Sequence, residues 1–159
     1  SGDTMVILQT AGNNQRWITQ IMQRLEKDFP AITSFNYVVN TKKNDTFSDL
    51  EVVCWKGDPY IIETMQAPAG NKTLQFRVGP KSFYQTNSLY HAAWSLAGLK
   101  GDELVYDLYT GTGTIANYIA SHAKKIVGLE YVADAIADAK VNAQLNNISH
   151  ASFFAGDMK

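Results

Sequence analysis

The stretch DLYTGTGTIANYIA, residues 107–120, decides the fold because a glycine turn in it joins the end of a strand to the start of a helix. Gly111 and Gly113 sit where the chain must turn sharply, and a Cβ at these positions would obstruct a ligand that approaches the backbone. Glu130 ends the next strand, KIVGLE, where an acidic side chain accepts hydrogen bonds from ribose hydroxyls in such folds. Strand, turn, helix, strand and acid together predict a site for a nucleoside-containing ligand.

The sequence around this turn alternates between strand and helix patterns. Strands LVYDLY (104–109), KIVGLE (125–130) and ASFFAG (151–156) are separated by helices TIANYIASHA (114–123) and VADAIADAKVNAQLNN (132–147). This alternation predicts an α/β parallel sheet with right-handed crossovers. Because the chain ends soon after the third strand, we expect it to be a fragment of a longer polypeptide.

The earlier part of the chain has a different pattern. A strand at 4–10 and an amphipathic helix are followed by four short runs rich in branched and aromatic residues, which predicts a small α+β lobe with a largely antiparallel sheet over residues 4–79. We place the boundary between the two lobes at residue 80, giving 1–80 and 81–159. A helix from Asn87 to Leu99 should link them, with one apolar face formed by Leu89, Ala92, Ala93, Leu96 and Leu99.

Composition excludes several classes of protein. Fourteen basic and fifteen acidic residues give a net charge of -1, so we expect this chain alone to bind RNA weakly. Cys54 is the only cysteine and the three histidines are scattered, so neither an internal disulfide nor a metal site is predicted. With no apolar run long enough to span a membrane and no secretory signal, the expected location is the cytoplasm.

Two ligands compete for the glycine turn. The spacing from Gly111 to Ala116 satisfies a loose form of the dinucleotide motif, which leaves an NAD-type site open. Asp107 places negative charge before the turn, where it would repel a pyrophosphate but attract a cationic sulfonium, so S-adenosylmethionine is favoured. Asp157 follows the third strand, where a carboxylate can accept from an adenine amino group. The alternative that Asp107 and Asp157 only cap neighbouring turns or helices stays open.

Several segments together resemble a known family. The segments are FYQTN (83–87), DLYTGTGT (107–114), VGLE (127–130) and GD (156–157), together with Asn142 and Asn146. They look like the successive motifs of the RNA (uracil-5-)-methyltransferase family, which acts on tRNA and 23S rRNA. The resemblance covers about residues 70–159, and residues 36–66 look like the family's preceding insertion. It implies a partial Rossmann-like class I methyltransferase sheet preceded by a small α+β lobe.

The resemblance also implies roles for single residues. Gln85 matches the residue that reaches the methionine portion of S-adenosyl-L-methionine, although from the residues alone it is as readily a helix cap. Glu130 matches the ribose-binding acid and Asp157 the acid beside adenine. The complete predicted cofactor site comprises Gln85, Tyr109, Gly111, Gly113, Thr114, Glu130 and Asp157. The sequence departs from the family at Thr114 and Thr110, where Asn and Cys respectively are common.

The implied reaction needs groups that we do not find in this sequence. Uracil C5 is a weak nucleophile, so its methylation requires a thiolate that adds at C6 and a base that removes the C5 proton. In the family both groups lie downstream of the third strand. Cys54, in the apolar strand EVVCWKG, has no family counterpart and is interpreted as a packed residue. We therefore predict no catalytic residue and no RNA methylation by this chain alone. The alternatives are a methyltransferase for another substrate class and an NAD-type nucleotide-binding module.

Overall fold

The computed structural model describes residues 2–68, 70, 72–86 and 89–157, and the chain divides into two compact units. The first unit comprises Ser1–Ile62 and Gly79–Lys81, and the second comprises Glu63–Val78 and Ser82–Lys159. The second unit thus includes residues 63–78, which the sequence-based boundary at residue 80 assigns to the first lobe.

The first unit is built around a strand–helix–strand motif. Its elements are β1 (Met5–Thr10), α1 (Gln15–Asp28), β2 (Ser34–Val39) and β3 (Val52–Gly57). β2 is central, parallel to β1 and antiparallel to β3. The expectation of a largely antiparallel sheet is therefore wrong for the first pair, because α1 crosses over and returns the chain in the same direction.

Helix α1 covers this sheet with one side of its predicted apolar stripe. The Asn14 side chain caps the helix by accepting from the Trp17 N–H at 3.2 Å, and the helix ends two residues before Pro30. Ile18 and Met22 are buried against Phe35, whereas Trp17 remains 65% exposed. The partly buried residues that complete this core are Val6, Leu8, Leu25, Ile32, Tyr37, Val39 and Trp55.

The second unit contains the alternating elements that the sequence predicts. A two-stranded sheet of β4 (Ile61–Gln66, which begins in the first unit) and β5 (Thr73–Val78) precedes α2 (Leu89–Ala97). There follow β6 (Leu104–Leu108), α3 (Thr114–Ile119), a 3₁₀ turn (Ala120–His122), β7 (Lys125–Glu130), α4 (Ala133–Leu145) and β8 (Ala151–Ala155). Strands β6, β7 and β8 form a parallel sheet in that order, which confirms the predicted α/β architecture.

One face of the parallel sheet carries the core of this unit. Helices α3 and α4 contact it, and Ile126 and Phe153 are buried beneath them. On the opposite side of β6, Leu104, Tyr106 and Leu108 are each at least half exposed. The alternation follows from the pleat, which turns successive side chains to opposite faces.

Helix α2 packs through a different face from the predicted one. Leu96 is 87% exposed, and Ala92 and Ala93 are exposed as well, so the aliphatic-face prediction is wrong for these residues. Tyr90 instead meets Tyr118 with ring centroids 4.6 Å apart, and Trp94 meets His122 at 5.1 Å. Aromatic rings bury more area and prefer such edge-on contacts, so they take precedence over alanine. Asn87, Ser88 and the Leu89 side chain lie outside the described residues.

The described helices include none that is both long and apolar enough to cross a membrane. Within the same described part of the chain, no three His, Cys, Asp or Glu side chains lie close enough together to hold a metal ion. Cys54 is half-buried on β3, and its thiol donates to the Gly57 carbonyl oxygen at 3.4 Å. This cysteine therefore belongs to the first unit, whereas the glycine turn belongs to the second.

Candidate functional site

The glycine turn between β6 and α3 uses left-handed backbone at three positions. Gly111 has φ of 55° and Gly113 has φ of 74°, whereas Tyr109 adopts φ of 61° despite its side chain. A Cβ on Gly111 would lie 2.7 Å from the carbonyl oxygen of Phe83, closer than packing allows. Tyr109 is 74% exposed, so its ring stands in solvent beside the turn. Strained backbone of this kind is typical of ligand-binding turns.

Gly113 serves close packing. A Cβ there would lie 3.1 Å from both the Asn117 amide nitrogen and the Phe153 ring, and 3.2 Å from the Ala139 methyl group. The missing side chain thus lets α3 approach α4 and β8. The two glycines have different physical roles. At Gly111 a side chain is excluded by the backbone of Phe83, and at Gly113 it is excluded by the packed core.

The Glu130 carboxylate lies against the turn. One oxygen accepts from the Gly111 N–H at 3.2 Å, and the other accepts from the Val132 N–H at 3.0 Å. The Gly156 N–H donates to the Glu130 carbonyl oxygen at 2.9 Å, so the chain that leads to Asp157 runs beside it. Asp157 is exposed. One predicted cofactor-binding acid, Glu130, therefore ends β7, and the other, Asp157, follows the neighbouring parallel strand β8, at the edge where α/β folds bind ligands.

Asp107 faces the helix that follows the turn. One of its carboxylate oxygens accepts from the Thr110 hydroxyl at 2.6 Å and from the Ala116 N–H at 3.1 Å. Burial raises the pKa of this carboxyl above its usual value, although the two hydrogen bonds act in the opposite direction. Asp107 thus caps the first turn of α3, the alternative that the sequence left open for it.

Thr114 lies in the interior of the turn. Its side chain is 2% exposed, and its hydroxyl is 3.0 Å from that of Thr112. The Thr112 hydroxyl in turn donates to the Phe83 carbonyl oxygen at 3.3 Å. The Thr114 hydroxyl therefore has a hydrogen-bond partner inside the protein. The predicted contact between the Thr114 side chain and a cofactor stays a prediction.

Gln85 lines a cavity of about 510 Å³ in the second unit. Burial raises the pKa of the neighbouring Tyr84 phenol to about 12. The segment that carries Gln85 is held at its start, because the Ser82 hydroxyl donates to Asp138 at 2.7 Å and the Phe83 carbonyl accepts from the Thr112 N–H at 3.2 Å. The other residues around the cavity are Glu63, Thr64, Met65, Gln66, Thr86 and Tyr90.

Two buried asparagines, Asn142 on α4 and Asn146 at its C-cap, make contacts that the sequence interpretation did not foresee. The Asn142 amide accepts from the Arg77 N–H at 2.6 Å and donates to the Arg77 carbonyl at 3.0 Å. One turn later, the Asn146 amide makes the same pair of bonds to Gln75, at 2.9 and 2.8 Å. Each amide therefore pairs with the edge of β5 as the backbone of a neighbouring strand would.

The same asparagines also hold the glycine turn. Asn142 donates to the Thr112 carbonyl oxygen at 2.9 Å, and Asn146 donates to the Asn117 side-chain oxygen at 3.2 Å. Asn117 in turn donates to the Gly113 carbonyl oxygen at 2.7 Å. All three asparagines are at most 2% exposed. The available sequence signal was the i, i+4 spacing of two amides at the end of a helix whose other inward residues are mostly small and apolar.

Comparisons with known proteins extend this description. The sequence matches no known protein-family model. It is 49% identical over 167 residues to a protein of Bacteroides thetaiotaomicron described as an uncharacterized RNA methyltransferase, and 48% identical over 164 residues to one of the same description from Porphyromonas gingivalis. Both alignments cover the whole chain but only 36% and 34% of the relatives, so the chain spans about a third of their length.

A solved structure agrees with these relatives. The chain is similar to the Pyrococcus abyssi tRNA (uracil-54, C5)-methyltransferase in complex with S-adenosyl-L-homocysteine, with a TM-score of 0.67 and 25% identity over 96% of the chain and 36% of that protein. These findings confirm the resemblance of this chain to the RNA (uracil-5-)-methyltransferase family and the class I, Rossmann-like methyltransferase fold that the resemblance implied.

Proposed function

We propose that this chain is part of an S-adenosylmethionine-dependent RNA methyltransferase and that its second unit forms much of the cofactor site. The observation that carries the proposal is the hydrogen bond between the Glu130 carboxylate and the Gly111 N–H, which brings the acid predicted to bind the ribose beside the glycine turn. In the solved relative, the corresponding fold is in complex with S-adenosyl-L-homocysteine.

The residues around the turn fit such a ligand. A Cβ on Gly111 would overlap the Phe83 carbonyl oxygen, so glycine at this position fixes the path of the turn, and Tyr109 offers an exposed ring at the same turn. Glu130 would accept from the ribose hydroxyls and Asp157 from the adenine amino group. Gln85 would hold the methionine portion from the anchored segment that follows Ser82.

The geometry disfavours a dinucleotide. In dinucleotide-binding folds, the pyrophosphate accepts from free N–H groups in the first turn of the helix. Here the Ala116 N–H already donates to Asp107, whose carboxylate would also repel a phosphate. The negative charge of Asp107 at this turn therefore disfavours a pyrophosphate, whereas it attracts an adenosine with a cationic sulfur.

We infer that the complete protein methylates C5 of a uridine in tRNA or 23S rRNA, in the cytoplasm. S-adenosylmethionine supplies the methyl group when bound, and the residues of this chain bind and orient it. The only thiol here, that of Cys54, donates to Gly57 within the first unit, and no family motif surrounds it. We therefore expect no methyl transfer from this chain alone, and turnover on an unmodified RNA transcript would contradict that expectation.

Titration calorimetry of the chain with S-adenosyl-L-homocysteine and with NADH tests the cofactor proposal. We expect heat only with S-adenosyl-L-homocysteine. Glu130→Gln should weaken binding by about tenfold, because a charged acceptor is replaced by a neutral one. Asp102→Asn, a charge-neutralising change at an exposed position of the same unit, should leave the affinity unchanged. Binding of NADH alone, or equal affinities for the two variants, would overturn the proposal.

A further inference from the structure

The first unit has a polar cavity of about 600 Å³ at the carboxyl ends of its two parallel strands. It is lined by the end of β1, which includes Gln9, and by the loop after β2, which includes Lys43, Asn44 and Asp45. This edge of a parallel strand pair is where α/β folds commonly bind ligands, and the volume suits a small molecule or one nucleotide.

The loop that forms one wall is preorganised by Asn40, which is 3% exposed. Its amide group donates to the carbonyl oxygens of Asn44 at 2.9 Å and Thr46 at 3.2 Å, and accepts from the Lys42 N–H at 3.0 Å. Its own N–H donates to the Thr10 carbonyl at 2.8 Å, which ties the loop to β1. A loop fixed in this way loses little entropy when a ligand binds.

The groups exposed in the cavity suit a nucleotide. Lys42 forms an ion pair with Asp49 at 2.5 Å, whereas Lys43 is exposed and has no ion-pair partner within the described ranges. An ammonium group in that position can contact a phosphate. Gln9 offers an amide group, which both donates and accepts and so matches the edge of a base. Asn44 offers its amide N–H groups, since its side-chain oxygen accepts from the Thr46 hydroxyl at 3.0 Å. Asp45 adds an acceptor for an exocyclic amino group.

We propose that this cavity binds one nucleotide of the RNA substrate, with Lys43 on its phosphate and Gln9 on its base edge. The inference rests on the proposed function, since RNA is the ligand class of the relatives' described activity. Sequence-specific proteins commonly read RNA as single-stranded, splayed-out bases, and a polar cavity of this size accepts one such base.

The test is a titration of the isotope-labelled chain with a short single-stranded oligoribonucleotide, followed by NMR. We expect the largest amide shifts at residues 9–11 and 40–45. Lys43→Gln should lower the affinity and reduce the slope of log K against log salt concentration by about 0.7, the value for one lost phosphate contact on a single strand. Gln9→Met, which keeps the side-chain length, should weaken binding about fivefold without changing that slope.

Lys27→Gln is the matched control, because Lys27 is exposed on α1 of the same unit and outside the cavity. Equal losses for Lys27→Gln and Lys43→Gln would mean diffuse charge attraction and overturn the proposal. Shifts confined to other residues would overturn it too, as would identical shifts with inorganic phosphate at the same concentration. Since this readout lies in the first unit, it can succeed or fail independently of cofactor binding in the second.

Discussion

Replacing Asn142 with Ala tests whether side-chain amides hold β5 and the glycine turn on α4. Asn142 is fully buried and makes three hydrogen bonds, two to the backbone of Arg77 and one to the Thr112 carbonyl. At about 1 kcal/mol each, their loss should reduce the free energy of unfolding of the second unit by about 3 kcal/mol. Asn142→Asp should cost at least as much, because a carboxylate oxygen would then face two carbonyl oxygens.

Amide hydrogen exchange is the suitable assay because it reports on each unit separately. In Asn142→Ala the Arg77 amide should lose protection most, whereas the Gln75 amide keeps its acceptor on Asn146 and serves as an internal comparison. Gln144→Ala, at an exposed position of the same helix, should change stability by less than about 0.5 kcal/mol. If Asn142→Ala destabilises the unit no more than Gln144→Ala does, the amide pairing is not what holds β5 in place.

Three further predictions concern the turn and two titrating groups. Gly111→Ala should weaken S-adenosyl-L-homocysteine binding at least tenfold in calorimetry, because its Cβ would meet the Phe83 carbonyl, and unchanged affinity would refute this. Because burial raises the pKa of Asp107, the folded state keeps the proton of this carboxyl to higher pH than the unfolded state does. The contribution of Asp107 to the free energy of unfolding therefore falls as pH rises from the unfolded-state pKa to the higher folded-state pKa. In Asp107→Asn, the free energy of unfolding measured with urea should no longer show this decrease with pH. Tyr84, with a pKa of about 12, should destabilise the fold between pH 10 and 12, and Tyr84→Phe should remove that loss in alkaline unfolding curves followed by circular dichroism.

The sequence alone predicted the parallel sheet of the second unit and the positions of the glycine turn and Glu130. Strand and helix periodicity depend on neighbours a few residues away, and a turn with positive φ restricts residue choice locally. Likewise, α1 begins after Asn14, a residue type that can cap a helix, and ends before Pro30, which disfavours helical backbone in the residue preceding it. Neither the periodicity nor the turn and cap residues depend on which helices and strands pack together in the fold.

Tertiary structure alone decided the partners of groups far apart in the chain. The pairing of Asn142 with Arg77 joins residues 65 positions apart, and apolar periodicity carries no information about where a buried amide finds its donors and acceptors. Likewise, packing turned the aromatic face of α2 toward Tyr118 and placed the Thr114 hydroxyl inside the turn. A local pattern indicates which side chains are buried. Only the assembled core determines which hydrogen-bond partners the buried polar groups find there.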